Sequence, residues 1–475
     1  FRSFVAVPTG KSVVLEELAN RYRLPKRMRL LNHPVQLAPL LILAAFFGID
    51  ACIACDGPAA SVASNKARYD QFRIYRVFLE TDEQVGIMQQ LENRSDSYQF
   101  MGHARQPNQN LSIMVAPQKI AEITDLIDRF QIQGQVLLYN IQELIDAQEL
   151  TVMPKGTAPE QFDWTHYFHL DTIHKWLDLQ ASKYPELLTV IPLQASYERN
   201  LIKGVKLSAK PGNTAVFVEC GIHAREWISP AVCTYILNQL LTSQAPEIRD
   251  LATNFDWFFF PVVNPDGYKY TFDADRFWRK NRRPYGLCRG VDLNRNFESN
   301  WNGIGASSDP CAYDFAGGSA ASEPETQVIQ NFVKQNAQSA RIRTYFSMHS
   351  YSQLIMFPYG YTTDRVDNYA DLVAIGERGS EAIRNTHGKQ YLAGAMIETI
   401  YPSSGDSVDW AFAECGVPVA YTFELRGPPE STNMFILPAE EIVPTGEETL
   451  AAYVAMLGEA RKLGYYDGVA EKGEL

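Results

Sequence analysis

His223 and Glu226 stand three residues apart in GIHAREW, directly after the apolar run AVFVEC. His349 follows a second apolar run, RTYFSM, and Glu424 closes a third, AYTFEL. Side chains three residues apart can turn two donor atoms toward one point. Two histidines and one carboxylate form a catalytic zinc set that leaves a fourth position for water. An HxxE pair is too short a pattern to mean much alone. Three apolar runs that all end in such residues are a far more specific signal.

The elements that must position these residues read as an α/β domain over about 160–467. AVFVEC, WFFFPVV, RTYFSM and VPVAYTFEL have the apolar character of strands in a buried sheet. Ser229-Pro230 opens one helix, and Pro444 begins a long C-terminal one. Sites in such domains form beyond the carboxyl ends of strands, near a reversal of strand order. The chain upstream, about 68–148, alternates differently. FRIYRVFLE is a strand and TDEQVGIMQQLENR a helix with a Thr81/Gln84 capping box. SYQFMGHA and NLSIMVA are two further strands, Pro117 opens a second helix, and GQVLLYNI is a last strand. This β-α-β-β-α-β order is ferredoxin-like and carries no cluster of reactive residues, which suits a binding, folding or inhibitory module. AQELTVMPKGTAPEQFDW, rich in Pro and Gly, follows as an exposed and cleavable boundary.

At 475 residues, with 46% hydrophobic and 21% charged residues, the chain is long enough for two or three globular domains. Its net charge of −12 argues against a nucleic-acid partner. Residues 1–27 show no clear periodicity and read as an upstream extension. Residues 28–54 have a basic start, an apolar run and a small-residue end, the layout of a secretory signal. That run falls short of the ~20 residues a bilayer span needs, so secretion without a membrane anchor is expected. Seven cysteines are present. Cys52 and Cys55 sit at the signal boundary, Cys220, Cys233 and Cys415 read as buried thiols, and Cys288 and Cys311 flank a polar loop. A bridge closing that loop contributes roughly 3 kcal/mol in the chain-entropy model. Two N-x-S sequons, at Asn93 and Asn110, both fall in the upstream module.

GIHAREW, FWRKNR, GVDLNRNF, MHSYSQL with PYGY, and TFELR, in that order, resemble the zinc carboxypeptidases of the pancreatic A/B type over nearly all of 160–467. The ferredoxin-like module resembles that family's activation propeptide. The resemblance implies a mixed eight-stranded sheet flanked by helices, one Zn2+ per chain, and a monomer that hydrolyses the C-terminal bond of peptides and proteins. It implies His223, Glu226 and His349 as zinc ligands, Glu424 as the general base acting on zinc-bound water, and Arg279 as the cation beside the oxyanion. Asn294 and Arg295 match the readers of the terminal carboxylate, and Tyr401 matches the tyrosine that closes over substrate. Arg225, Ser350 and Tyr351 match more distant substrate contacts.

The family's specificity selector precedes an Asp-Trp pair, here Val408 before Asp409 and Trp410. An apolar selector implies A-type preference for aliphatic and aromatic C-terminal residues. Asp406, two positions earlier, would face the same side in an extended segment and admit Lys or Arg, giving mixed or B-type specificity. Alternatively it caps the turn after Gly405. The family's SYEGR is SYERN at 196–200, and the linker has no dibasic site, which leaves Lys155 for a trypsin-like activating protease. The expected divisions are therefore a propeptide at 55–155 and a catalytic domain at 156–475. A catalytically silent, peptide-binding relative is the alternative reading.

Overall fold

The computed structural model describes residues 66–467, apart from 93–96, 103, 339–341 and 429–430. The upstream extension, the signal segment with Cys52 and Cys55, and the Asn93 sequon lie outside the described residues. Strands β1 (Arg73–Leu79), β2 (Tyr98–Phe100), β3 (Gln109–Val115) and β4 (Gln133–Leu138) form an antiparallel sheet in the order β2-β3-β1-β4. Helices Asp82–Glu92 and Ile120–Arg129 complete the ferredoxin-like order. The capping box forms as the spacing requires: the Gln84 amide N–H donates to Thr81 Oγ1 at 3.2 Å, and Thr81 N–H to Gln84 Oε1 at 3.3 Å.

Alternation along these strands builds two apolar faces. Val77, Leu111, Ile113 and Val115 pack into the module's own core. Ile74 and Met114 instead join Phe277, Tyr351, Met434 and Phe435 of the downstream domain in a shared cluster. One expectation is corrected here. The last strand stops at Leu138 rather than running to Ile141, and Ile141–Glu149 is a helix. Ile141, Leu144 and Ile145 lie on one helical face, and that face packs against the downstream domain in the same cluster. A partner surface distant in sequence thus decides a segment whose local pattern is ambiguous. The linker then rejoins the downstream domain through a bridge between Val152 and Tyr167, leaving Lys155 and Gly156 exposed in a turn.

The downstream sheet contains β5 (Leu188–Ala195), β6 (Leu201–Leu207), β7 (Thr214–Cys220) and β8 (Phe255–Phe260). After a two-residue-stranded hairpin of β9 (Pro284–Tyr285) and β10 (Cys288–Arg289) come β11 (Ile342–His349), β12 (Leu354–Phe357), β13 (Leu392–Ala395) and β14 (Val419–Glu424). The eight large-sheet strands run in the order β13-β12-β14-β11-β7-β8-β6-β5, with β8, β7, β11 and β14 mutually parallel. One face packs against helices Leu170–Lys183, Ile228–Thr242, Tyr369–His387 and Ile442–Lys462 through residues such as Trp257, Phe346 and Tyr453. The other packs Phe217, Phe260 and Tyr345 under helices Pro324–Gln338 and Ser407–Ala413. From β7 the chain goes to β8 on one side, while β11 and β14 fill the other, so strand order reverses at the β7/β11 boundary. A disulfide joins Cys288 to Cys311, whereas Cys220, Cys233 and Cys415 are free thiols, the last only partly buried.

Candidate metal centre and active site

The chemistry collects at that reversal. Gly221 turns the chain out of β7 at φ +63, and His223, Glu226 and His349 converge, all buried. His223 Nδ1 lies 2.8 Å from Glu226 Oε1, and His349 Nδ1 lies 3.1 Å from Glu226 Oε2. The two Nδ1 atoms face each other at 3.0 Å. Donors about 2.0–2.1 Å from a tetrahedral zinc stand roughly 3.3 Å apart, so this triad needs little movement to hold one. Burial and Arg279 push the His223 imidazole below its ordinary pKa, favouring the neutral form that a metal takes. Burial disfavours the Glu226 carboxylate, yet His223 and His349 outweigh it and hold that group well below the usual carboxylate range.

Glu424 is paired with His349 in the parallel register of β14 and β11. Burial and the nearby Glu226 push its carboxyl up to about 8. Arg279 Nη1 reaches to 4.0 Å from Glu226 Oε1. Its Nε and Nη2 donate to Asp292 Oδ2 at 3.0 and 2.8 Å, which fixes the plane of the guanidinium. Asp292 Oδ1 meets His223 Nε2 at 3.1 Å and accepts from Asn294 N–H at 3.0 Å. One buried carboxylate thus orients an imidazole and a guanidinium together.

Asn294 and Arg295 follow on a short turn. Arg295 Nε donates to the Gly305 carbonyl and Nη1 to the Asn294 carbonyl, at 2.9 and 2.7 Å. Gly405 must be glycine: φ is +72, and a Cβ would stand 2.4 Å from the Arg295 carbonyl oxygen. That close approach seats helix Ser407–Ala413 beside the Asn294–Arg295 turn, where Ser407 N–H donates to Asn294 Oδ1 at 3.0 Å. Asp406 is the N-cap of this helix, accepting from Asp409 N–H at 2.8 Å. Val408 is buried in a cluster that includes Met356, Met396 and Trp410. Arg225 lays its guanidinium 3.9 Å from the Phe435 ring centroid, and Tyr351 packs edge-on against that ring. Ser350 Oγ is buried and has no hydrogen-bond partner among the described residues.

The chain's residues 173–452 match the family model described as zinc carboxypeptidase, and 75–148 match the carboxypeptidase activation peptide. The chain belongs to the zinc carboxypeptidases. It is 43% identical over 406 residues to zinc carboxypeptidase A 1 of Anopheles gambiae, covering 85% of this chain and 93% of that one. It is 42% identical over 292 residues to carboxypeptidase B of Astacus astacus, covering 60% of this chain and 94% of that one. The crystal structure of carboxypeptidase A from Helicoverpa armigera superposes with a TM-score of 0.75 at 27% identity, over 86% of this chain and 99% of that one. The chain is thus a metallocarboxypeptidase carrying its activation peptide.

In this zinc carboxypeptidase the activation peptide lies over the cleft. Phe100, Met101 and Gly102 line a cavity of about 40 Å³ together with Arg225, Glu226, Arg279, Tyr401 and Glu424. Asn294, Arg295, Asp406 and Val408 do not line that space. The connecting helix is tied down by Gln148, which donates to the Leu437 carbonyl at 2.8 Å and accepts from Arg276 Nε at 2.8 Å. Asn110 is exposed on β3, beside a larger cavity of about 790 Å³ between the two domains. Sequence reasoning missed Asp292, Tyr313 and Phe435. Asp292 lies two residues before Asn294 within a quoted motif, whereas Tyr313 and Phe435 reach the cleft from loops whose own sequence carries no signal.

Proposed function

We propose that this chain is the secreted precursor of an exopeptidase that removes aliphatic or aromatic residues from peptide C-termini, with His223, Glu226 and His349 holding one Zn2+. The ion, when bound, supplies a Lewis acid that lowers the pKa of water toward 7 and polarises a carbonyl. Glu424 accepts a proton from the attacking water and delivers it to the leaving amine. Arg279 Nη1 donates to the oxygen on which charge develops. Arg295 and Asn294 bind the terminal carboxylate, for which a guanidinium fork is suited. Tyr401 closes over the substrate, and Arg225, Ser350 and Tyr351 hold residues further from the terminus. The observation that carries this reading is the convergence of three ligand atoms at the strand ends, with Glu424 in register beside His349.

Val408 and its apolar neighbours support A-type preference, because a cationic head buried there loses hydration without gaining a partner. The commitment of Asp406 Oδ1 to the helix cap supports the same choice. One observation favours the mixed reading: the hydrogen bond that Asp406 Oδ2 accepts from the Ser403 hydroxyl is long, at 3.5 Å. Activation is proposed at exposed Lys155, releasing an enzyme that starts near Gly156 and acts as a monomer. The test is zinc content together with amino-acid release from peptide C-termini after trypsin treatment. One zinc per chain with release is expected. A stoichiometric zinc protein that releases nothing would establish a silent peptide-binding relative instead.

A further inference from the structure

His223 has a carboxylate behind it, Asp292, whereas among the described residues His349 Nε2 meets Ser347 and Asn294 and no carboxylate directly. Strands β7 and β11 are in parallel register with Glu219 opposite Ser347, and both residues are buried. Ser347 lies two residues before His349 and so faces the same side of β11. Its Oγ stands 2.8 Å from Glu219 Oε1 and 3.0 Å from His349 Nε2. A second hydroxyl, Ser407 Oγ, also donates to Glu219 Oε1.

Hydrogen counting gives this chain a direction. Ser347 has one proton, and Glu219 Oε1 accepts it whether or not Oε2 carries a proton. The Ser347 lone pair is then left to accept from His349 Nε2–H. Asn294 Nδ2, at 3.4 Å, cannot serve that proton, because it is itself a donor. Its orientation is fixed by Ser407 N–H donating to Asn294 Oδ1. His349 is thereby held with its proton on Nε2 and its lone pair on Nδ1, the atom facing Glu226 and His223.

We propose that Glu219, acting through Ser347, is the outer carboxylate of His349, doing for that imidazole what Asp292 does directly for His223. This rests on His349 being a metal ligand, as proposed above. Glu219 is a positioning residue: it fixes tautomer and ring orientation and touches neither metal nor substrate. Through Ser407 it also joins the His349 side of the metal centre to the helix that begins the specificity segment.

The test is zinc affinity of the uncleaved full-length chain, measured by competition with a chromogenic chelator. Ser347→Ala and Glu219→Met are each expected to weaken zinc about 10–100-fold, the usual cost of losing such a partner. Ser347→Thr keeps the hydroxyl and is expected to stay within about threefold of wild type. Ser407→Ala, which removes the other hydroxyl on Glu219 but leaves the relay, is also expected within about threefold. If Glu219→Met does not fold, Ser347→Ala decides. A folded Ser347→Ala chain that binds zinc like wild type overturns the inference. So does an equal loss in Ser347→Ala and Ser407→Ala, which would make Glu219 a packing residue. His349→Ala separates the two levels: if it too binds zinc normally, the metal assignment fails, and if it alone loses zinc, only the relay fails.

Discussion

Replacing Arg279 by methionine, which has similar bulk and no donor, should separate transition-state stabilisation from substrate binding. The guanidinium is buried and spends Nε and Nη2 on Asp292, leaving Nη1 4.0 Å from Glu226 Oε1. Loss of one preorganised oxyanion donor costs about 3–4 kcal/mol, or 10²–10³ in kcat. KM for a dipeptide-length substrate should change by only a few-fold, since the ground-state carbonyl carries little charge. Stability should fall as well. Asp292 would keep its contacts to His223 and Asn294 but lose two charge-assisted bonds, and breaking a buried pair costs roughly 3–5 kcal/mol. Burial alone would raise the Asp292 carboxyl, but Arg279 and His223 hold it well below the usual range. A depressed carboxylate contributes stability above its unfolded pKa of about 3.9 and loses it as pH falls through the folded value. The gap in Tm between wild type and Arg279→Met should therefore be full at pH 7 and narrow below about pH 4. Steady-state kinetics of the trypsin-activated proteins, with calorimetry across pH, measure both effects. A variant whose kcat stays within about fivefold while KM rises 100-fold would refute the assignment and make Arg279 a substrate-binding residue.

Glu424→Gln should lower kcat by about 10²–10⁴ while zinc content stays at one per chain; loss of zinc instead would make Glu424 part of the metal centre. In the wild type, the acid limb of kcat/KM should lie below the value of about 8 that burial and Glu226 impose without a metal, because a neighbouring dication favours the carboxylate. A limb at or above 8 in the zinc enzyme would contradict that. Lys155→Gln should fold and bind zinc yet remain inactive on long peptides after trypsin treatment, since Phe100–Gly102 stay over the cleft; full activity of the uncleaved chain would reduce the module to a folding aid. Peptides ending in Phe or Leu should be cleaved faster than those ending in Lys or Arg. If Lys or Arg is released faster, and Asp406→Gly abolishes this, then Asp406 is the selector.

Much of this protein is legible in its sequence because the signals are local. The Thr81/Gln84 box is a contact three residues long, and the alternating strands of the activation peptide and the apolar runs that become β7, β8, β11 and β14 show in their local residue pattern. GIHAREW places His223 and Glu226 within one turn of chain, so their shared direction is built into their spacing. Nothing local, however, brings His349 to them. That depends on β11 pairing with β7 across more than a hundred residues, because only parallel pairing puts both carboxyl ends on the same edge. Helix Ile141–Glu149 has the same dependence: its apolar face finds a partner only once the downstream domain exists. Local sequence leaves Asp406 open between pocket and cap, and only the fold puts it at a helix start with the Asp409 amide within its reach. Glu219 reads in sequence as an intruder in an apolar strand. Tertiary structure makes it a partner: strand register sets Ser347 opposite it, and helix Ser407–Ala413 brings the Ser407 hydroxyl to it. Residue types and spacing determined which chemistry was available, and long-range pairing decided which atoms meet, since a buried polar group finds its hydrogen-bond partners only where the fold delivers them.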